Sequence, residues 1–236
     1  MNQRARLLLF STSTVHGSGY LDYAESEVRS FLGDRRSLLF VPFALADRDA
    51  YAGRARERFA RFGCAVDSLH DADDMRQAIV NAEAIFVGGG NTFRLLKCLY
   101  DYDLLAVIRA RVEEGMPYLG SSAGSNVAGP TIRTTNDMPI VRPPSFAALG
   151  LVPFQINPHY LDADPASTHM GETREERLLQ YLEENDTPVV ALREGAWLRI
   201  ENGICELCGM KGGRLFRRGE EPKEIVAGTT IDRLLQ

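Results

Sequence analysis

A glycine- and serine-rich pentapeptide near the middle of the chain has the pattern G-x-S-x-G. It reads Gly120-Ser121-Ser122-Ala123-Gly124 and follows an apolar run that predicts a strand. In such a turn the flanking glycines allow a sharp change of direction, the middle serine is exposed, and N–H groups at the following helix start lie beside it. Ser122 is therefore the candidate nucleophile, and the Ala123 N–H is a candidate oxyanion donor. A purely structural turn is the alternative interpretation.

A second glycine turn, Val87-Gly88-Gly89-Gly90-Asn91, also joins a predicted strand to a predicted helix. Its N–H groups can approach an anion closely, so Gly89 and Gly90 could hold a phosphate or complete an oxyanion hole. The turn lacks the lysine of a P-loop and the spacing of a dinucleotide-binding fingerprint. We therefore favour the oxyanion hole over nucleotide binding, and a structural turn is again the alternative.

An activated serine needs a general base, and His159 is the best placed of the four histidines. It comes directly after a predicted apolar strand that includes Phe154 and Ile156, so it should emerge at the same sheet edge as Ser122. His16, which follows the first predicted strand, is the reserve candidate.

A third group must hold the imidazole in one tautomer, and two carboxylates are candidates for it. Asp137 lies between Ser122 and His159 in the chain, whereas Glu194 follows a later predicted strand. Spacing along the chain does not choose between them.

Two arginines are candidates for binding an acidic group of a substrate. Thr173 and Glu176 form a capping-box pattern, which places Arg174 in the first turn of a helix, where a cation opposes the helix dipole. Arg174 is our first choice and Arg133 the second, because a guanidinium presents a planar fork to carboxylates. An exposed surface position is the alternative for each.

The pair Cys205 and Cys208 has the spacing of a zinc knuckle or a redox site. No second ligand pair accompanies it, and it lies in a β-rich segment rather than at a helix start, where a thiolate would be activated. We expect no metal site there, and no cofactor.

The elements around these residues alternate between strand and helix. The predicted strands span residues 5–10, 37–43, 64–69, 84–87 and 118–120, and the predicted helices span 20–32, 49–62, 73–81 and 92–111. Alternation of this kind predicts an α/β fold with three layers, in which helices cover both faces of a mostly parallel central sheet.

Closely spaced short strands follow from about residue 187, with turn signals such as Asn202-Gly203 between them. They predict a C-terminal antiparallel β extension of the same domain. We expect residues 1–236 to form one domain, because no linker or repeat divides the chain.

Charge and hydropathy exclude several classes of function. The chain of 236 residues has 27 Lys and Arg against 32 Asp and Glu, a net charge of −5, which argues against binding to nucleic acid. The apolar run at 7–10 is too short for a signal peptide or a membrane span. Four scattered cysteines fit a reducing compartment. We expect a cytoplasmic protein without a nucleic-acid or membrane partner.

Taken together, five segments resemble peptidase E, the α-aspartyl dipeptidase family of serine peptidases (the S51 type), over nearly the whole chain. These segments are Val87-Gly88-Gly89-Gly90-Asn91-Thr92-Phe93, Gly120 to Gly124, residues 130–141, Gln155-Ile156-Asn157-Pro158-His159 and Gly171-Glu172-Thr173-Arg174-Glu175. The resemblance implies a cytoplasmic enzyme that cleaves dipeptides with an N-terminal aspartate and whose fold is related to class I glutamine amidotransferases.

By position in these motifs, the family's nucleophile corresponds to Ser122 and its histidine to His159. The acidic residue is usually assigned to the position of Asp137, and the position of Glu194 is a rival proposal. Bacterial members commonly have Trp before the serine, where this chain has Ser121, and this difference is expected to change the pocket wall.

The predicted function is hydrolysis of aspartyl dipeptides through an acyl-enzyme on Ser122. Arg174 would bind the aspartate β-carboxylate, with Arg133 as second choice, and the only partner would be a small acidic dipeptide. A cyanophycinase-like peptidase or an esterase on the same scaffold, and a binder that does not cleave, are the alternatives. The oligomeric state stays open, a homodimer included.

Overall fold

Five parallel strands form the centre of the molecule. The structure is a computed structural model that describes residues 3–166, 168 and 170–231. The five strands lie side by side in the order β1-β5-β4-β2-β3. They are β1 (Leu7–Phe10), β2 (Ser37–Val41), β3 (Ala65–Ser68), β4 (Ile85–Val87) and β5 (Tyr118–Ser121).

Helices cover both faces of this sheet. On one face lie α1 (Glu25–Leu32) and α2 (Arg48–Ala60), and on the other lie α3 (Met75–Asn81), α4 (Thr92–Asp101), α5 (Leu105–Glu113) and the short α6 (Ala123–Asn126). Side chains alternate along each strand, so Leu8 and Phe10 pack towards the first face and Leu7 and Leu9 towards the second. All four are fully buried, which explains why the strand is a continuous apolar run.

One predicted helix is in fact two. The sequence pattern predicts a single helix over 92–111, but the structure ends α4 at Asp101 and begins α5 at Leu105. Asp103 has a φ of 51°, in the left-handed region that an α-helix excludes. The break lets Leu104 turn into the core, where it is fully buried.

A second sheet begins with a parallel pair. Strand β6 (Gln155–Tyr160) is followed by α7 (Arg174–Glu184), and the chain then returns as β7 (Val189–Arg193), which lies parallel to β6. Parallel neighbours need such a crossover. The face of α7 that carries Leu178 and Leu182 packs on the sheet it crosses.

The predicted C-terminal antiparallel strands are present, and they divide between the two sheets. Strands β8 (Ala196–Glu201), β9 (Ile204–Gly209) and β12 (Thr229–Thr230) extend the large sheet from β1 in antiparallel pairs. Strands β10 (Gly213–Phe216) and β11 (Lys223–Ile225) add to β7 in the second sheet. Because β7 belongs to the crossover with β6, it joins the second sheet in parallel and cannot continue the first.

The two sheets face each other, because residues of β6, β7 and β10 share a core with residues of β8 and β9. The arrangement brings the ends of β5, β6 and β7 to one region of the molecule. Among the described residues, no helix is long and apolar enough to cross a membrane.

Candidate active site

Ser122 occupies a strained turn between β5 and α6. Its φ of 51° and ψ of −109° lie in a sparsely populated backbone region, which is held here by the packing around it. A Cβ at Gly120 would lie 2.6 Å from the carbonyl oxygen of Gly124, so the turn requires glycine. The Ser122 N–H donates to the carbonyl of Phe10 at 3.0 Å, which ties the turn to β1.

His159 reaches Ser122 because β6 is bulged. The pairing of β6 with β7 shifts register between Asn157 and Tyr160, and His159 has a φ of 55°. A bulge of this kind redirects a side chain away from its place in the strand. The distance from His159 Nε2 to Ser122 Oγ is 2.9 Å.

Ser11 holds the bulge from behind and was not singled out in the sequence. Its hydroxyl accepts a hydrogen bond from the His159 N–H at 2.9 Å and donates one to the carbonyl of Leu192 at 2.8 Å. Ser11 is fully buried, directly after β1. Its place at the end of a central strand was the signal that could have identified it.

Glu194 completes the hydrogen-bond chain. It follows the last residue of β7, and its Oε1 lies 2.9 Å from His159 Nδ1. A carboxylate can only accept, so Nδ1 carries the proton and Nε2 is left to accept the hydroxyl of Ser122. This arrangement has the geometry of a nucleophile, a base and an orienting acid.

The charge of Glu194 also acts on a half-buried neighbour, Tyr23. Burial raises the pKa of the Tyr23 phenol, and the negative charge of Glu194 raises it further. The neutral phenol donates a hydrogen bond to the carbonyl of Thr12 at 2.5 Å. Tyr23 therefore supports the loop after β1 next to Glu194.

Asp137 is close to Ser122 but is bound elsewhere. Its Oδ2 accepts hydrogen bonds from the N–H of Thr92 at 2.7 Å and from the Thr92 hydroxyl at 2.6 Å. Thr92 begins α4, where an anion is favoured. In the described part of the chain, His159 Nδ1 meets Glu194 and not Asp137.

Two backbone N–H groups beside Ser122 are unused. Within the described residues, neither Gly90 nor Ala123 donates its N–H to a protein acceptor. The glycine loop is pressed against the serine turn, since a Cβ at Gly89 would lie 3.1 Å from both the Ser121 carbonyl oxygen and Ser122 Cβ. Free donors at this point are suited to a developing oxyanion.

A cavity of about 450 Å³ opens in front of this group. Its lining includes Gly90, Ser122, Asp137 and His159, all predicted from the sequence, together with Arg54, which was not predicted. The volume lies in the range of small-molecule sites, roughly 300 to 1,000 Å³.

The two predicted substrate arginines lie outside this cavity. Arg133 is exposed and donates to the side-chain oxygen of Asn185 at 3.2 Å. Arg174 is half-buried at the start of α7 and lines a neighbouring cavity with Arg177. Burial and the charge of Arg177 lower the pKa of Arg174, while the carboxylate of Asp137 raises it, so Asp137 and Arg174 lie within electrostatic reach of each other.

The serines next to Ser122 do not compete for its position. Ser121 is fully buried and does not line the cavity in front of Ser122, although it was expected to alter the pocket wall. Ser125 is also buried and donates its hydroxyl to the carbonyl of Phe10. His16, the reserve candidate for the general base, does not line the cavity in front of Ser122. His169 lies outside the described residues.

Among the described residues, the side chains that are close enough together to hold a metal ion lie away from Ser122. On β9, Cys205 packs in one core and Cys208 against the other, so the two thiols lie on opposite faces of the sheet. A group of Asp49, His70 and Asp71 is close enough to hold an ion, but Arg56 already binds Asp71 at 2.7 Å. None of these residues lines the cavity in front of Ser122.

Similarity to known proteins shows the family to which the chain belongs. The profile described as Peptidase family S51 matches residues 7–208. The chain belongs to this family. A curated relative named "Peptidase E", from Streptomyces coelicolor, is 55% identical and covers 97% of this chain and 94% of its own length. A protein of Drosophila melanogaster named "Probable alpha-aspartyl dipeptidase" is 45% identical over the full length of both chains.

The fold of this S51 peptidase is also found in a solved structure. A peptidase from an acI-B1 Actinobacterium superposes with a TM-score of 0.74 at 18% identity and covers 98% of this chain and 97% of its own. At that level of identity the likeness concerns the fold alone. The mixed α/β architecture with a large, mostly parallel sheet is thus shared with another peptidase.

Proposed function

We propose that this S51 peptidase is a serine dipeptidase that hydrolyses dipeptides with an N-terminal aspartate. The observation that carries the proposal is the continuous chain from Ser122 Oγ to His159 Nε2 and from His159 Nδ1 to Glu194, with both contacts at 2.9 Å. The substrate class is supported by the names of the relatives from Streptomyces coelicolor and Drosophila melanogaster.

In the acylation step, His159 Nε2 takes the hydroxyl proton of Ser122 as Oγ attacks the carbonyl carbon of the N-terminal residue. The imidazolium that forms is stabilised by the carboxylate of Glu194. The N–H groups of Gly90 and Ala123 receive the oxyanion, a contribution of about 2.7 to 4 kcal/mol for each donor in comparable hydrolases. Because Gly89 has no Cβ, the glycine loop can lie close enough to Ser122 for the Gly90 N–H to reach the oxyanion.

In the following steps the same histidine returns the proton. His159 protonates the leaving amine as the C–N bond breaks, which releases the second residue and leaves an ester on Ser122. Water, deprotonated by His159, then attacks the ester carbonyl, and collapse of the second tetrahedral intermediate returns a proton to Ser122 Oγ. The products are free aspartate and the second amino acid, and no external co-reactant besides water is consumed.

The N-terminal residue of the substrate carries an ammonium and a β-carboxylate, and both need a partner. We assign the ammonium to Asp137, which lines the cavity and engages only one of its oxygens with Thr92. Arg174 remains the proposed partner of the β-carboxylate, because it lies within electrostatic reach of Asp137. Arg133 is the weaker candidate, since it points to Asn185.

The relationship of the fold to another family and the cellular location belong to the same proposal. We infer that the fold is related to that of class I glutamine amidotransferases, on the strength of the serine turn at the end of a central parallel strand. A cytoplasmic location is supported by the four cysteines, all of them described residues, which form no disulfide.

A substrate panel tests the proposed specificity. Purified protein is incubated with Asp-Leu, Glu-Leu, Leu-Leu and β-aspartyl-leucine, and released amino acids are quantified. We expect cleavage of Asp-Leu at a rate at least about 100-fold above that of Leu-Leu, because Leu-Leu would leave the charge of Arg174 without its partner. Equal rates for Asp-Leu and Leu-Leu would refute an aspartyl specificity and favour a broader peptidase or an esterase.

A further inference from the structure

Arg54 lines the cavity in front of Ser122 from the side of α2. Its guanidinium carbon lies 5.0 Å from the centroid of the Tyr51 ring, which is the geometry of a cation–π contact. Tyr51 is three residues earlier on the same helix, so both side chains share one face of α2. Arg54 is therefore aimed by its own helix towards the site.

Tyr51 gives Arg54 a rigid support. The ring is buried and packs edge-on against Phe40, with ring centroids 4.9 Å apart. Its hydroxyl fits against the glycine loop, where a Cβ at Gly88 would lie 2.6 Å from the hydroxyl oxygen. The first glycine of the loop thus makes room for the ring on which Arg54 stacks. The glycine loop that borders Ser122 therefore packs directly against the Tyr51 ring that supports Arg54.

The charge of Arg54 has no carboxylate partner among the residues that the structure describes. Many arginines of the described chain form ion pairs, for example Arg58 with Asp22 and Arg193 with Asp162. Arg54 forms none with any described carboxylate, and its side chain is exposed at the cavity. A guanidinium with free donors that is held over a cavity is suited to bind a carboxylate in bidentate fashion.

One carboxylate side chain and one guanidinium side chain lie in the lining of the cavity. One is the anion Asp137 and the other is the cation Arg54. A free dipeptide carries the opposite pair of charges, an ammonium at its first residue and a carboxylate at its second. The cavity is therefore complementary in charge to a whole dipeptide lying across Ser122.

We propose that Arg54 binds the C-terminal carboxylate of the dipeptide and thereby restricts the enzyme to substrates of two residues. The assignment rests on the proposed dipeptidase function. The two carboxylates of the substrate then have different partners. The β-carboxylate belongs to the residue held at Asp137, and Arg174 lies within electrostatic reach of Asp137. Arg54 lies in a different part of the site, because its charge acts on Tyr20 and Tyr51. A longer peptide or an amide would leave Arg54 without a carboxylate.

The test compares Asp-Leu with Asp-Leu amide, which lacks only the terminal carboxylate. Steady-state kinetics are measured for the wild type, for Arg54→Ala and for Arg61→Ala, a control that removes a cation just after α2 and outside the cavity. In Arg54→Ala the KM for Asp-Leu should rise about 10- to 100-fold, as expected for loss of a charge-assisted hydrogen bond. The kinetics of the amide should change by less than about two-fold, and Arg61→Ala should match the wild type.

A second pair of substrates separates the two carboxylates. If Arg54 instead bound the β-carboxylate, Arg54→Ala would lose the preference for Asp-Leu over Asn-Leu and keep the preference for Asp-Leu over its amide. That result would overturn the proposal, as would an equal loss for Asp-Leu and the amide. Thermal melting of Arg54→Ala confirms that the variant is folded.

Binding to Ser122→Ala keeps the test independent of turnover. Calorimetry should show that this variant binds Asp-Leu at least about 10-fold more tightly than the amide, and that adding Arg54→Ala removes the difference. Equal affinities of Ser122→Ala for the two peptides would refute the role of Arg54. A wild type that binds with this preference but cleaves neither peptide would refute the dipeptidase function and leave the assignment of Arg54 standing.

Discussion

Replacing Glu194 with glutamine is expected to lower kcat for Asp-Leu by about 10²- to 10⁴-fold, with KM changed by no more than a few-fold. Glu194 accepts a hydrogen bond from the Nδ1–H of His159 at 2.9 Å, so the substitution removes the charge that stabilises the imidazolium. It also allows the amide to donate to Nδ1, which would place the proton on Nε2, where it blocks the hydroxyl of Ser122. Neither effect alters the walls of the cavity.

The matched variant is Asp137→Asn, because Asp137 is the other carboxylate expected from the sequence. Its oxygen is bonded to Thr92 rather than to His159, and we assign it to the substrate ammonium. This substitution should act mainly on KM and less on kcat. A loss of kcat confined to Asp137→Asn, with Glu194→Gln fully active, would show that Asp137 orients the histidine.

Replacing Gly124 with alanine is expected to destabilise the fold by about 3 kcal/mol or more. A Cβ at this position would lie 2.0 Å from the carbonyl oxygen of Val87, which is a backbone atom and cannot move aside as a side chain would. The contact joins the serine turn to the end of β4. The melting temperature, followed by circular dichroism, should therefore fall by roughly 6 to 12 °C.

Gly53→Ala is the control for this prediction. Gly53 lies within α2, and no atom lies within 4 Å of the position that its Cβ would take. Because alanine is a better helix former than glycine, the melting temperature should stay the same or rise. If Gly124→Ala melted at the temperature of the wild type, the close packing of the serine turn on Val87 would be wrong.

The central strands and most helices follow from the sequence because their patterns are local. Residues 7–10 are apolar without interruption since both faces of β1 are buried, and Thr173 caps α7 as its spacing with Glu176 predicts. The break at Asp103 was missed because it depends on burial of Leu104, which only the tertiary structure reveals. The division of the C-terminal strands depends on long-range pairing in the same way.

The candidate site was predictable where a motif constrains the backbone. Ser122 and His159 come together because each ends or bulges a strand at the same edge, and their positions in the chain indicate this. The choice between Asp137 and Glu194 was not predictable, because it depends on which carboxylate Thr92 engages. Arg54 was missed because an arginine on an exposed helix face is common. The available signal was Tyr51 three residues earlier on the same predicted helix, a spacing that allows the contact observed between the two side chains.

Release of free aspartate from Asp-Leu by the wild type and by Ser122→Ala, with EDTA present, tests the central claim most directly. Ser121→Ala is the control, because that neighbouring serine is buried outside the cavity. The wild type and Ser121→Ala should cleave at equal rates in EDTA, and Ser122→Ala should lose about 10⁴-fold or more in kcat. Cleavage that EDTA abolishes, or that survives in Ser122→Ala, would contradict a serine mechanism at this site.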